Sequence, residues 1–110
     1  MKHDYPDSLI KRVLSETNTI AMIGASPTPT RSSHGVMKYL QDSGYRVIPV
    51  NPFSSDTKIL GEFVYASLAD IPEKFEMVDV FRRSDAIASI TEEALSVSKE
   101  KGIRSIWMQL

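Results

Sequence analysis

The residues Thr19-Ile-Ala-Met-Ile-Gly24-Ala-Ser-Pro-Thr-Pro-Thr-Arg-Ser-Ser-His-Gly35 set the frame for everything around them. Ile20 to Ile23 form an apolar run that breaks at Gly24, and a polar loop with two prolines and Arg31 follows. Val36, Met37 and Leu40 then recur at helical spacing. A buried strand that empties into a small-residue turn and then a helix is how open α/β folds build an anion site. The first N–H groups of the helix lack intrahelical partners and carry partial positive charge. The stretch therefore predicts a site for a phosphate-bearing, nucleotide-type cofactor.

The bulk composition fits that frame. A chain of 110 residues is one domain, with 42% hydrophobic and 25% charged residues, ordinary values for a globular protein. A formal net charge of -1 offers no general basic field, so a nucleic-acid partner is not expected. The absence of cysteine excludes disulfides, thiolate metal sites and thiol catalysis, and fits a reducing compartment. No apolar run approaches the roughly 20 residues of a membrane span, and Met-Lys-His-Asp-Tyr-Pro is no signal peptide. A cytoplasmic protein without a membrane partner is expected.

Residues 1–16 read as an N-terminal helical flank, with Leu9, Ile10, Val13 and Leu14 on one face of a helix over residues 6 to 16. The helix after Arg31 is predicted from about Ser33 to Gly44, a good stop. Val47, Ile48 and Val50 make a second strand in which Pro49 is awkward, and Asn51-Pro52 turns the chain. Residues 53 to 61 read as polar loop, Phe63-Val-Tyr65 as a short third strand, and Ser67 as the cap of a single turn ending at Pro72. Met77 to Phe81 is a buried fourth strand. Ser84 or Asp85 caps a long helix with the stripe Ile87, Ile90, Ala94 and Val97, ended by Gly102, and Ile103 to Met108 is the last strand.

This alternation predicts a single α/β domain over residues 1–110, a Rossmann-like three-layer αβα sandwich with a mostly parallel sheet ordered 3-2-1-4-5. Ligands bind outside the carboxyl ends of such strands. Gly24 to Arg31, Asn51-Pro52, Phe81-Arg82 and Met108-Gln109 should therefore meet around one crevice. A standard NAD site loses both of its specific contacts here. Gly24-Ala25-Ser26 has one glycine where two are wanted, and Asn51 stands where an acidic residue would hold the ribose. No Gly-Lys-Ser/Thr follows the turn, so a P-loop fares worse.

Gly24-Ala25-Ser26, Arg31, Val36 to Leu40 and Gly44-Tyr45-x-Val47-Ile48-Pro49-Val50-Asn51-Pro52 together resemble the CoA-binding domain family. Tyr65-x-Ser67-Leu68, Val78-Asp79-Val80-Phe81-Arg82 and Trp107-Met108-Gln109 extend the likeness over residues 17 to 110. These small Rossmann-type proteins are similar to the amino-terminal domain of the succinyl-CoA synthetase α subunit. The resemblance implies coenzyme A, or an acyl-CoA, as cofactor. It would place Gly24, Ala25 and Ser26 against the pyrophosphate, with Arg31 supplying charge to a phosphate. Asn51 and Pro52 would border the adenine and ribose, Lys58 would reach a phosphate, and Phe81 and Arg82 would flank the pantetheine arm. Ser33 and Ser26 have the competing role of capping the helix. For Arg31 the competing reading is a solvated loop charge, and Lys58 reads by itself as a surface charge. His34 reads as helix-start surface, since no motif places a carboxylate or nucleophile beside it.

Relatives in that family continue past the Trp-x-Gln strand with a further helix and strand, whereas this sequence ends at Leu110. Ile103, Ile106 and Trp107 would then lie in a strand with one open side. A homodimer through this C-terminal edge strand is the corresponding expectation. The leading functional expectation is a non-catalytic CoA-binding module. One alternative is a diverged acyl-CoA synthetase or ligase α-subunit-like component completed by a partner, and the other is an NAD(P)-binding oxidoreductase fragment.

Overall fold

The computed structural model describes residues 17–82 and 86–108. In chain order these form β1 (Thr19–Ile23), α1 (Ser32–Asp42), β2 (Arg46–Val50), β3 (Lys58–Ile59), β4 (Glu62–Phe63) and a 3-10 turn (Leu68–Asp70). β5 (Met77–Val80), α2 (Ile87–Lys101) and β6 (Ser105–Met108) complete them. The four longer strands make one parallel sheet, ordered β2-β1-β5-β6. The N-terminal helical flank and the Ser84 or Asp85 cap lie outside the described residues, as does Gln109.

Alternation along the central strands divides the core between two faces. Ala21, Ile23, Ile48, Val50, Val78 and Val80 pack on one side with Leu68, Ile71, Phe75 and the α2 stripe Ile90, Ala94 and Val97. Met22 and Val47 point the other way and meet Met37 of α1, with Ile59 and Val64 from the β3–β4 region. The sheet is thus covered on both faces, and the α/β Rossmann-like reading holds. Fully burying side chains of this size contributes about 1.5–3 kcal/mol each, before entropy opposes it.

The expected third strand is corrected by the geometry. It survives as a single parallel bridge between Val50 and Tyr65, at the outer side of β2 where the order 3-2-1-4-5 puts it. Tyr65 N–H donates to the Pro49 carbonyl (3.1 Å), and Asn51 N–H donates to the Tyr65 carbonyl (2.9 Å). The next rung would need an N–H from residue 49, which proline lacks. In the other direction the chain turns at Asn51-Pro52. One proline therefore limits the ladder, and it does so without harming the β1–β2 pairing, because its nitrogen faces away from β1. Phe63 instead pairs with Lys58 in a short antiparallel hairpin. Part of the stretch read as polar loop is this hairpin, tied to α1 by Gln41 Nε2 donating to the Leu60 carbonyl (3.2 Å).

The ends of α1 are set by local chemistry. At its C-terminus Gly44 N–H donates to Gln41 and Tyr45 N–H to Leu40, each at 3.0 Å. This is the double closure of a Schellman motif, and Gly44 takes the left-handed conformation it needs (φ +97). The 3-10 turn is held differently from expectation. Ser67 Oγ bonds the Asp70 carboxylate (3.0 Å), while the Leu68 N–H donates to Glu93 Oε2 of α2 (2.9 Å). A helix residue 25 positions further along the chain supplies that cap, which no local pattern could announce.

Candidate functional site

The carboxyl ends of β1, β2 and β5 open onto a crevice of about 470 Å³ lined by Gly24, Ser26, Arg31, Ser32, Ser33, Asn51, Phe81 and Arg82. Gly24 N–H donates to the Val50 carbonyl (2.9 Å), and Phe81 N–H donates to the Ile23 carbonyl (2.8 Å). The turn after β1 is therefore drawn between its two neighbouring strands. Gly24 sits at φ +83, and a Cβ there would run into the Phe81 carbonyl oxygen and lie 2.9 Å from its carbon. The glycine is required by the close approach of the β5 terminus as well as by its own backbone angle.

Beyond Gly24 the loop is stapled to the end of β2. Asn51 Nδ2 donates to the Ala25 carbonyl (2.8 Å), and Asn51 Oδ1 accepts from Phe53 N–H (2.9 Å). This amide joins two walls of the crevice, a positioning role that a neutral side chain with both a donor and an acceptor can fill and a carboxylate cannot. Ser26 Oγ accepts from Thr28 N–H (3.1 Å), which tightens the polar loop. Ala25 is buried among Met22 and Met37, so its side chain is floor rather than lining.

The α1 N-terminus faces the crevice without a cap. Arg31 holds the N-cap position with extended backbone (φ -79, ψ 142), no side chain caps the helix, and its first turn contains no acidic residue. The Arg31 carbonyl accepts from His34 and Gly35 N–H groups. Among the described residues no acceptor meets the N–H groups of Ser32 and Ser33, which leaves donors aimed at the crevice. Neither Ser26 nor Ser33 caps this helix. Arg31 is exposed and Arg82 half-buried, and neither forms an ion pair among the described residues. The lining therefore brings together two guanidinium groups, free helix donors and three hydroxyls, with no carboxylate. In a protein of net charge -1 this is a local positive site, suited to a di- or polyanion.

Of the residues singled out in the sequence, Gly24, Ser26, Arg31, Ser33, Asn51, Phe81 and Arg82 meet at this crevice. Pro52 and Lys58 are exposed outside its lining, Pro52 on the turn after β2 and Lys58 in the hairpin. Ser32 lines it and was not anticipated; its signal was its place directly after Arg31 at the helix start. His34 is half-buried and does not line the crevice. Among the described residues no group of three or more His, Cys, Asp or Glu side chains could hold a metal ion, and no helix is long and apolar enough to cross a membrane.

Similarity to known proteins points the same way. The chain is 42% identical over 86 residues to the uncharacterized protein YneT of Bacillus subtilis, covering 78% of this chain and 62% of that protein. It is 28% identical over 97 residues to acetate–CoA ligase (ADP-forming) I subunit alpha of Pyrococcus furiosus, covering 84% of this chain but 20% of the subunit. The chain thus spans less than two thirds of either relative. The solved structure of a hypothetical protein from Pyrococcus horikoshii superposes with a TM-score of 0.83 at 37% identity, covering 97% of this chain and 75% of that one. A family model described as CoA binding domain matches residues 18–110. The chain belongs to the CoA binding domain family.

Proposed function

We propose that this protein binds coenzyme A, or an acyl-CoA, across the carboxyl ends of β1, β2 and β5, and that it works as a binding module rather than as a catalyst. The observation that carries the reading is the uncapped start of α1 set between Arg31 and Arg82 in a crevice without carboxylates. A pyrophosphate there receives the Ser32 and Ser33 N–H groups and charge-assisted bonds from both arginines. Membership of the CoA binding domain family selects CoA from the phosphate-bearing ligands such a site could hold. Asn51 supports the choice against NAD, since its amide links Ala25 to Phe53 where a dinucleotide site would present a carboxylate to the ribose. Pro52 and Lys58 stand outside the lining and take no part in this proposal.

A second reading rests on the match to the acetate–CoA ligase subunit. In it the chain is the CoA-holding part of a ligase whose reacting groups come from a further domain or subunit. Calorimetric titration with CoA, acetyl-CoA, NAD and NADP tests the main proposal. Binding of CoA and acetyl-CoA with at most weak heat from NAD and NADP supports it; preference for NAD or NADP, or no heat with CoA, rejects it. The homodimer expected through the last strand also remains a proposal. β6 pairs only with β5 among the described residues, and a shallow groove lined by Leu95, Ile103 and Ile106 runs beside it. Sedimentation of the wild type and of Ile106→Lys tests it: a dimer lost in the variant supports it, and a wild-type monomer at micromolar concentration rejects it.

A further inference from the structure

Phe53 lies two residues beyond Asn51, and its side chain is 89% exposed. A single exposed apolar side chain is ordinary; this one is distinguished by how firmly it is presented. Asn51 Oδ1 accepts its N–H (2.9 Å), and Ser54 N–H donates back to the Asn51 carbonyl (3.2 Å). Pro52 occupies the second position of that four-residue turn, where its fixed φ pre-sets the geometry. The ring is therefore mounted on a stiff turn, and the side chain that stiffens the turn also lines the crevice and holds the Ala25 carbonyl.

The aromatic that does line the crevice is differently placed. Phe81 is half-buried and packs with the cluster containing Met22 and Met37, so much of its ring is already covered. Asn51 has its oxygen and one N–H engaged, which leaves little capacity for reading the edge of a base. The β2 end of the crevice thus has no carboxylate and a half-committed amide, and just beyond its lining, two residues after Asn51, stands one open aromatic face. In folds of this type the nucleoside end of a ligand lies at the terminus of the second strand.

We infer that Phe53 is a stacking platform for the purine base of the bound nucleotide, and that it sets affinity for the nucleoside end separately from the phosphate cradle. The inference rests on the CoA reading above. Base–aromatic stacking depends on a flat apolar face and not on hydrogen-bond pattern. Because the backbone that carries it is already held in a turn, only the rotation of the ring itself has to be ordered on binding.

Calorimetry with CoA and with 4′-phosphopantetheine, which lacks the nucleoside, tests it on the wild type, Phe53→Ala and Phe53→Trp. Phe53→Ala should weaken CoA binding about tenfold and leave phosphopantetheine binding within about twofold, whereas Phe53→Trp should retain CoA binding. Addition of CoA should quench the new indole fluorescence in Phe53→Trp, and phosphopantetheine should not. Unchanged CoA affinity in Phe53→Ala overturns the inference while leaving the CoA reading intact, as does an equal loss for both ligands. A wild type that does not bind CoA removes the reading itself and the inference with it. The exposed position means that thermal melting of the variants should match the wild type, so a folding defect cannot imitate the result.

Discussion

The two ends of the parallel sheet handle charge in opposite ways. At the amino ends several ionic groups are partnered. Glu76 Oε1 accepts the Asn18 and Thr19 N–H groups at 2.7 and 3.0 Å, and Arg46 holds Glu73 in a two-pronged contact at 2.6 and 3.0 Å with Glu62 at 3.5 Å. The hydrogen bond to Glu73 is the main reason that the Arg46 pKa is held above its ordinary value. Buried Lys101 donates to the Ile71 carbonyl at 2.6 Å. At the carboxyl ends Arg31 and Arg82 have no carboxylate partner among the described residues, and the first N–H groups of α1 have no acceptor. Arginine stands at both ends, but carboxylates stand beside it only at the amino ends; the lining at the carboxyl ends has none. A fold optimised only for stability would cap α1; leaving it open, beside two cations, concentrates binding capacity where the strands end.

This contrast can be broken most severely at Gly24. Gly24→Val forces a branched side chain into positive φ and against the Phe81 carbonyl. It should destabilise the protein by about 3 kcal/mol, with a Tm drop of more than about 10 °C. The reason is collision with β5, not merely lost room for a ligand, so the loss should appear without any ligand present. A melting curve within about 2 °C of wild type would contradict this placement of the turn.

Arg31→Asp sharpens the comparison by giving the carboxyl end what the amino end has. An aspartate at the N-cap position accepts a free helix N–H and should stabilise the fold by about 1 kcal/mol. It also replaces a cation with an anion beside the phosphate, so CoA affinity should fall about a hundredfold. Higher Tm with lost binding is the expected signature, measured by thermal melting and calorimetry. Loss of both would mean that Arg31 holds structure that its exposed side chain does not suggest. Smaller again, Arg82→Ala should cost about tenfold in CoA affinity and leave Tm within a few degrees. At the other end of the sheet Arg46→Ala removes an exposed ion pair worth up to about 1 kcal/mol and should leave CoA affinity unchanged.

Much of this was legible in the sequence because it is local. The apolar run into Gly24, the Gly44 stop and the spacing of Ile90, Ala94 and Val97 each declare themselves within a few residues. The strand ends then fall together by the topology of parallel sheets, which is why Arg31, Asn51, Phe81 and Arg82 could be assigned to one crevice before its geometry was known. What was not legible depends on partners distant in the chain. Pro49 looked like a problem for the second strand, yet its cost falls on the third, and that turns on which edge its nitrogen faces. Glu93 capping Leu68 and the Phe81 carbonyl crowding Gly24 are contacts between separate elements. The β3–β4 hairpin has strands too short to show a period. Pro52 and Lys58 were carried onto the site by resemblance, and the turn and the hairpin hold them outside its lining.

The central claim is that the open start of α1 receives the phosphates. The most direct measurement is an amide NMR titration of the isotopically labelled protein with CoA. The account predicts that Ser32 and Ser33 shift most, together with Gly24, Ser26 and Arg82, while Asn18, Thr19 and the residues around the Arg46–Glu73 pair stay fixed. Shifts concentrated at the amino ends of the strands or beside β6, with Ser32 and Ser33 unmoved, would contradict it.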